Sequence, residues 1–225
     1  MAESPSNLEN LPADVIRSII NLLDDDIALA NMCSVNKNLH KNICNESFWR
    51  NKIINKFHLT SEDIKKYFDG KSLWNYYIFL TKQSKRNPDE LLHSGSSLGR
   101  GDLVKVALEM GTDLNTRSLA LLSVAYRGQI EIVRLLLHYG TSPGSLSSAL
   151  INASMAGHTE IAKLLLDNGA SIRGDTLILA SKKGNTEAVR LLLEYGADPH
   201  TNNNEALALA RQKGYTKIVN LLERQ

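Results

Sequence analysis

The chain has 225 residues, 43% hydrophobic and 22% charged, a composition typical of a folded protein and unlike a disordered tail. Its 26 basic and 24 acidic residues give a net charge of +2, which by itself does not indicate a nucleic-acid or membrane binder, and we expect neither partner. The start of the chain has no signal-peptide pattern, and no apolar run reaches about 18 residues. Two cysteines without metal or disulfide spacing favour a reducing compartment. We therefore expect a cytoplasmic protein that is a monomer on its own.

Three short helices are predicted within residues 8–53. Pro12 suits a first helical turn, and Asp14 complements the helix dipole there. The acidic run at residues 24–26 separates this helix from a second, and a third precedes Phe48-Trp49-Arg50. A segment of about 45 residues can form only a marginal core. It would therefore gain stability from a partner or a neighbouring domain.

This segment resembles the F-box. Leu11, Pro12 and Asp14 match the family's opening, and residues 35–50 align without a gap. Asn36 and Leu39 depart from the usual cysteine and tryptophan, respectively. The resemblance implies binding to a Skp-family adaptor; the alternative is that the matching residues only close the segment's own core. The residues that would form the adaptor-facing surface or its support are Leu11, Pro12, Val15, Ile19, Leu23, Ile27, Val35 and Trp49.

Residues 54–87 are predicted to form a helical connector that ends in a strongly aromatic helix around residues 73–80. We expect the aromatic side chains to pack between the N-terminal segment and the following repeats. An exposed recognition patch around Trp74 and Tyr77 is the alternative. The polar residues 82–87, followed by a proline, are the predicted linker.

Five copies of one pattern occupy the rest of the chain. Each copy has an opening glycine, at spacings of 29, 29, 27 and 30 residues, with a leucine seven residues earlier. The opening glycines are Gly99, Gly128, Gly157, Gly184 and Gly214, and the leucines are Leu92, Leu121, Leu150, Leu177 and Leu207. Four copies also have a closing glycine twelve residues after the opening one: Gly111, Gly140, Gly169 and Gly196. Repetition at such a period indicates a stack of similar structural units.

Each copy predicts two antiparallel helices. The second starts after Gly-x-Thr, where Thr159, Thr186 and Thr216 are expected to cap the free backbone amides. The closing glycine falls where a helix end needs a left-handed residue. One such pair cannot bury its own apolar stripe, so the copies must stack.

These copies resemble ankyrin repeats. The leucine of the family's Thr-Pro-Leu-His motif is present in all five copies, but its histidine is present only as His93. The other four copies hold Leu122, Ile151, Ile178 and Ala208 at that position, so apolar packing is expected to replace the histidine's hydrogen bonds between repeats. The short period implies trimmed loops between the repeats.

Together, the two resemblances imply an all-α chain. An F-box unit of three helices at residues 8–53 and the connector at 54–87 would precede an ankyrin-repeat α-solenoid of about five units at 88–225. The units would span residues 88–115, 116–144, 145–173, 174–201 and 202–225.

Enzyme motifs are absent from the sequence. It contains no phosphate-binding loop, nucleophile elbow, HExxH motif or dinucleotide fingerprint, and its six histidines lack metal-ligand spacing. We therefore expect no catalytic residue, no cofactor and no metal, and interpret the chain as a binding protein.

The resemblances imply a substrate receptor of a cullin–RING ubiquitin ligase. The N-terminal segment would dock on the Skp-family adaptor, and the repeats would hold a target protein near the conjugating enzyme. The rival hypothesis is an ankyrin scaffold that recruits no ligase and whose N-terminal helices cap the stack. The layout is similar to F-box/ankyrin proteins of giant viruses that infect amoebae, or to bacterial effectors with both modules, which would act in the host cytoplasm.

Target recognition is predicted just ahead of the opening glycines, because ankyrin proteins commonly bind with the exposed end of the first helix. Tyrosine and arginine recur at binding hot spots, and the lysines of the C-terminal half favour a partner with an acidic segment. The alternative is that these lysines only solubilise an exposed edge. The predicted target-binding residues are Tyr126, Arg127, Met155, Lys182, Lys183 and Lys213.

Overall fold

The computed structural model describes residues 46–68 and 73–224, and these form thirteen α-helices and no strand, as the all-α prediction requires. They fall into two compact units. The N-terminal unit runs to Pro88 and also includes Lys105–Met110, and the repeat unit comprises Asp89–Val104 and the residues from Gly111 onwards. Most of the predicted F-box segment lies outside the described residues. So do all the predicted adaptor-binding residues except Trp49, namely Leu11, Pro12, Val15, Ile19, Leu23, Ile27 and Val35.

The N-terminal unit has an aromatic core. Its helices are α1 (Glu46–Phe57), α2 (Ser61–Tyr67) and α3 (Leu73–Gln83). Trp49 and Tyr77 are buried with ring centroids 5.2 Å apart, and the Phe57 ring lies 5.8 Å from that of Tyr77. Burial raises the pKa of Tyr77 to about 12, because the phenolate would lose its hydration. Tyr77 is thus a core residue, not part of an exposed recognition patch, and Trp49 supports the unit from within.

Helix α2 begins with a reciprocal cap. The Thr60 hydroxyl accepts a hydrogen bond from the Asp63 amide at 3.1 Å, and the Asp63 carboxylate accepts one from the Thr60 amide at 2.8 Å. The Asp63 carboxylate also lies 3.5 Å from Lys105 Nζ. Partial burial raises the pKa of Asp63, but the Thr60 hydrogen bonds and Lys105 outweigh it, so this pKa lies below its ordinary value.

Asp63→Asn is therefore expected to lower the free energy of unfolding of the N-terminal unit by about 0.5–1 kcal/mol near neutral pH. Because folding lowers the pKa of Asp63, the contribution is present above the unfolded pKa of about 4 and is lost as the pH falls through the folded value. Urea titrations followed by circular dichroism at about pH 6 and about pH 2.5 measure this. The two proteins should differ only at the higher pH; a difference that persists in acid would contradict the assigned role of the charge.

The repeats form five pairs of helices. The pairs are α4 (Pro88–Leu98) with α5 (Gly101–Glu109), α6 (Leu114–Arg127) with α7 (Ile130–Tyr139), α8 (Pro143–Ala156) with α9 (Thr159–Asp167), α10 (Gly174–Lys183) with α11 (Thr186–Glu194), and α12 (Thr201–Lys213) with α13 (Thr216–Leu222). The first helices α6, α8, α10 and α12 pack side by side, and so do the second helices α7, α9, α11 and α13. This is the layered arrangement of a helical repeat solenoid.

The periodic residues of the sequence are the structural core of the stack. Four of the five leucines, Leu92, Leu121, Leu150 and Leu177, are buried. The opening and closing glycines all have φ between 68° and 88°, the positive range that favours glycine, and the opening glycine Gly128 is a left-handed helix end.

The predicted threonine caps are wrong. The threonines concerned, Thr159, Thr186 and Thr216, are the first helical residues of α9, α11 and α13. The N-cap residues are His158, Asn185 and Tyr215, and none of them makes a side-chain capping bond. Two of these side chains bond to the preceding repeat instead: His158 Nε2 lies 3.0 Å from Tyr126 O, and Asn185 Nδ2 donates to Met155 O at 2.8 Å.

The fifth repeat begins differently from the others. Asn202, Asn203 and Asn204 have φ between 52° and 64°, a left-handed conformation that asparagine tolerates better than most non-glycine residues. The right-handed part of α12 therefore begins at Glu205, and Leu207 is only half-buried. Among the described residues, no side-chain hydrogen bond joins α12 or α13 to α10 or α11, so helix packing attaches the last repeat.

Candidate protein-binding face

The first helices of the five repeats each end in an exposed turn, and these turns form a row that we call the ridge. An opening glycine follows each helix; at Gly128 its φ and ψ of 78° and 23° reverse the chain and leave the two preceding residues on the rim. The ridge residues are Ser97, Leu98, Tyr126, Arg127, Met155, Ala156, Lys182, Lys183, Gln212 and Lys213.

Hydrogen bonds between repeats hold the ridge in register. Each joins a side chain of one repeat to a main-chain oxygen on the ridge of the preceding repeat. The pairs are Arg127 Nη1 with Ser97 O at 2.9 Å, His158 Nε2 with Tyr126 O at 3.0 Å, and Asn185 Nδ2 with Met155 O at 2.8 Å. Successive ridge positions therefore lie next to one another, as the repeat alignment predicts.

A second set of hydrogen bonds ties the loops to the start of the first helices. In each case a backbone amide two residues after a closing glycine, in the loop just ahead of a first helix, donates to a side chain of the first helix before that loop. The pairs are Asp113 N with Asp89 Oδ1 at 3.2 Å, Ser142 N with Ser118 Oγ at 3.1 Å, and Ser171 N with Ser147 Oγ at 3.0 Å. The next side chain in this series would be that of Gly174, so the series stops there.

The expectation that apolar packing replaces the histidine's own hydrogen bonds between repeats stays a prediction. The position of the family's histidine is apolar in four repeats, and of these residues Ile178 is buried whereas Ala208 is exposed. Hydrogen bonds between repeats persist, but they come from other positions, because the polar groups of the trimmed loops still need partners.

The ridge has an apolar end and a basic end. Leu98 and Tyr126 are 72% and 53% exposed. Met155, in the middle, is half-buried, and Lys182, Lys183 and Lys213 at the other end are exposed. No carboxylate of the described residues forms an ion pair with these three lysines. All six predicted target-binding residues thus lie on one row.

Two features of this face were not predicted. Leu119 is 69% exposed, and it lies two turns before Tyr126 on the same side of α6, so it extends the apolar end away from the ridge. In the sequence, Leu119 belongs to an apolar run whose composition is typical of a buried helix. Arg127 has a structural role, because its guanidinium bonds to the preceding repeat, which makes Leu119 the better partner for Tyr126 in a binding test.

The repeat sequence matches the family model of ankyrin repeats (three copies) over residues 91–174 and 150–224. These matches together span more than half of the chain, which therefore belongs to the ankyrin-repeat family. Ankyrin repeats bind other proteins, and a role in protein–protein interaction follows. No curated protein is similar enough to the chain to count as a match.

The described residues meet the requirements neither of a membrane span nor of a metal centre. None of their helices is both long and apolar enough to cross a bilayer. Nor do any three of their histidine, cysteine, aspartate or glutamate side chains cluster as metal ligands would.

Proposed function

We propose that the chain is a substrate receptor of a cullin–RING ubiquitin ligase, comparable to the F-box/ankyrin proteins of giant viruses that its layout resembles. Residues 8–53 would be the F-box, residues 54–87 the connector and residues 88–225 the repeats that hold the target. The single observation that supports target binding is the ridge, which has exposed apolar side chains and three exposed lysines in one row, and these lysines form no ion pair with the described carboxylates. The F-box resemblance of residues 8–53 supports adaptor binding.

Such a receptor accelerates ubiquitin transfer without a catalytic residue of its own. Tethering the target raises the local concentration of its lysines near the charged conjugating enzyme. Affinity along the ridge would then decide which protein is modified, and the F-box would decide whether the ligase is present.

Adaptor binding is tested with Pro12→Asp/Val15→Asp, two charges on the proposed F-box surface. Skp-family adaptor and cullin are expected to co-purify from cell lysate with the wild type and not with the variant, because a charge is not accommodated in an apolar interface. The control is Lys163→Asp/Lys217→Asp, which changes two exposed residues of α9 and α13. Circular dichroism should show equal helicity for all three proteins, and undiminished adaptor binding by the variant would contradict the proposal.

A second candidate function is a scaffold that recruits no ligase, with the N-terminal helices as a cap. One observation favours it: Lys105–Met110, the end of α5 and the residue after it, belongs to the N-terminal unit, and Lys105 pairs with Asp63. The ends of a solenoid need a capping element. The same pull-down separates the two candidates, because a scaffold would retain its target and bring down neither adaptor nor cullin.

A further inference from the structure

We infer that the ridge binds an extended protein segment that has apolar side chains at one end and acidic side chains at the other. This inference rests on the proposed binding of a target by the repeats, and it specifies the chemistry of the target. The exposed side chains support the apolar part and the ion pairs support the acidic part, and the spacing of the repeats sets the distance between the two in an extended segment.

The apolar end is concentrated in the first two repeats. Five large hydrophobic side chains are exposed in the described part of the chain, and three of them, Leu98, Leu119 and Tyr126, lie on the ridge or within two helical turns of it. A fourth, Leu114, lies at the opposite end of α6. The fifth, Tyr195, already donates a hydrogen bond of 2.6 Å to Asp167. Exposed apolar side chains grouped in this way mark binding sites, and a tyrosine among them is a frequent anchor. The first two repeats would therefore bind the apolar part of the segment.

The basic end lies in the last two repeats, where several carboxylates form ion pairs with arginines and the lysines of the ridge do not. Three of the carboxylates there form ion pairs with arginines: Asp175 with Arg173 at 3.6 Å, Glu187 with Arg190 at 3.3 Å, and Glu223 with Arg211 at 2.6 Å. Lys182, Lys183 and Lys213 have no such partner among the described residues. Their charge is available to a bound segment, and charge complementarity requires that segment to be acidic.

The spacing of the two ends follows from helix packing. Neighbouring helices lie about 8–10 Å apart, so α6 and α10, which are two steps apart in the row, are separated by about 16–20 Å. An extended chain advances about 3.3 Å per residue, so the apolar and acidic groups should be about five or six residues apart. A helical segment would need about eleven to thirteen residues for the same distance.

The test selects displayed random 16-residue peptides on the intact chain. Enriched peptides should combine apolar and acidic side chains about five or six residues apart.

A fluorescein-labelled selected peptide should bind about tenfold more weakly to Leu119→Ser/Tyr126→Ser and to Lys182→Glu/Lys183→Glu than to the wild type. Added salt should weaken binding to the wild type more than to the lysine variant. The control is Lys163→Glu/Lys217→Glu, which changes two exposed lysines of α9 and α13 and should bind like the wild type.

Two results separate the inference from the proposed function. Peptides that depend on Leu119 and Tyr126 but lack acidic residues, or that carry them at helical spacing, overturn the inference and leave target binding by the repeats intact. If no enriched peptide is weakened by either ridge variant, both the inference and the assignment of the ridge as the target site are overturned.

Discussion

Replacing Gly128 by alanine is expected to lower the free energy of unfolding of the repeat unit by about 2–3 kcal/mol. Its left-handed conformation alone costs an alanine about 1–2 kcal/mol. The added methyl group would also lie 2.6 Å from His158 Cε1, so the ring must move and lose its hydrogen bond to Tyr126 O, which adds about 1 kcal/mol. Urea denaturation followed by circular dichroism measures the loss.

Gly214→Ala is the matched control for Gly128→Ala. Gly214 has nearly the same conformation, with φ and ψ of 73° and 25°, but an added methyl group would meet nothing within 4 Å. It should therefore cost only about 1–2 kcal/mol. Gly128→Ala combined with His158→Ala should cost less than the sum of the single changes, because both remove the same contact. Equal losses for the two glycines would contradict the proposed packing of His158 over Gly128.

Leu165→Ala is expected to cost about 2–5 kcal/mol, a large part of the stability of an ordinary domain. Leu165 is fully buried in α9, so the change leaves a cavity inside the stack. Leu119→Ala is the control, because the same atoms are removed from a side chain that is 69% exposed, and it should cost less than about 0.5 kcal/mol. Similar unfolding midpoints for the two variants would mean that the second helices are not packed as described.

The sequence was sufficient to predict the features that recur. A leucine such as Leu150 returns at a fixed distance from the opening glycine because each repeat must bury the same side of its first helix. The ridge was predictable for the same reason, since residues such as Tyr126 and Lys182 hold equivalent positions in successive repeats and stacking aligns them.

The features that could not be predicted depend on tertiary contacts between residues that are distant in sequence. His158 and Asn185 hold ordinary N-cap positions, and only the stacked structure shows that they bond to the preceding repeat. The exposure of Leu119 could not be predicted, because apolar residues surround it in the sequence as they would surround a buried leucine. The left-handed turn at residues 202–204 accompanies the longest spacing between opening glycines, 30 residues, but neither that spacing nor the nearby Pro199 specifies three successive left-handed asparagines.

Site-specific photo-cross-linking tests most directly whether the ridge is the protein-binding surface. A benzophenone amino acid at position 126 lies on the ridge, whereas at position 163 it lies on the exposed side of α9. After illumination in cells, the chain labelled at 126 should form discrete adducts of higher mass that the chain labelled at 163 lacks. Adducts that form equally from both positions, or only from 163, would contradict the ridge as the binding surface.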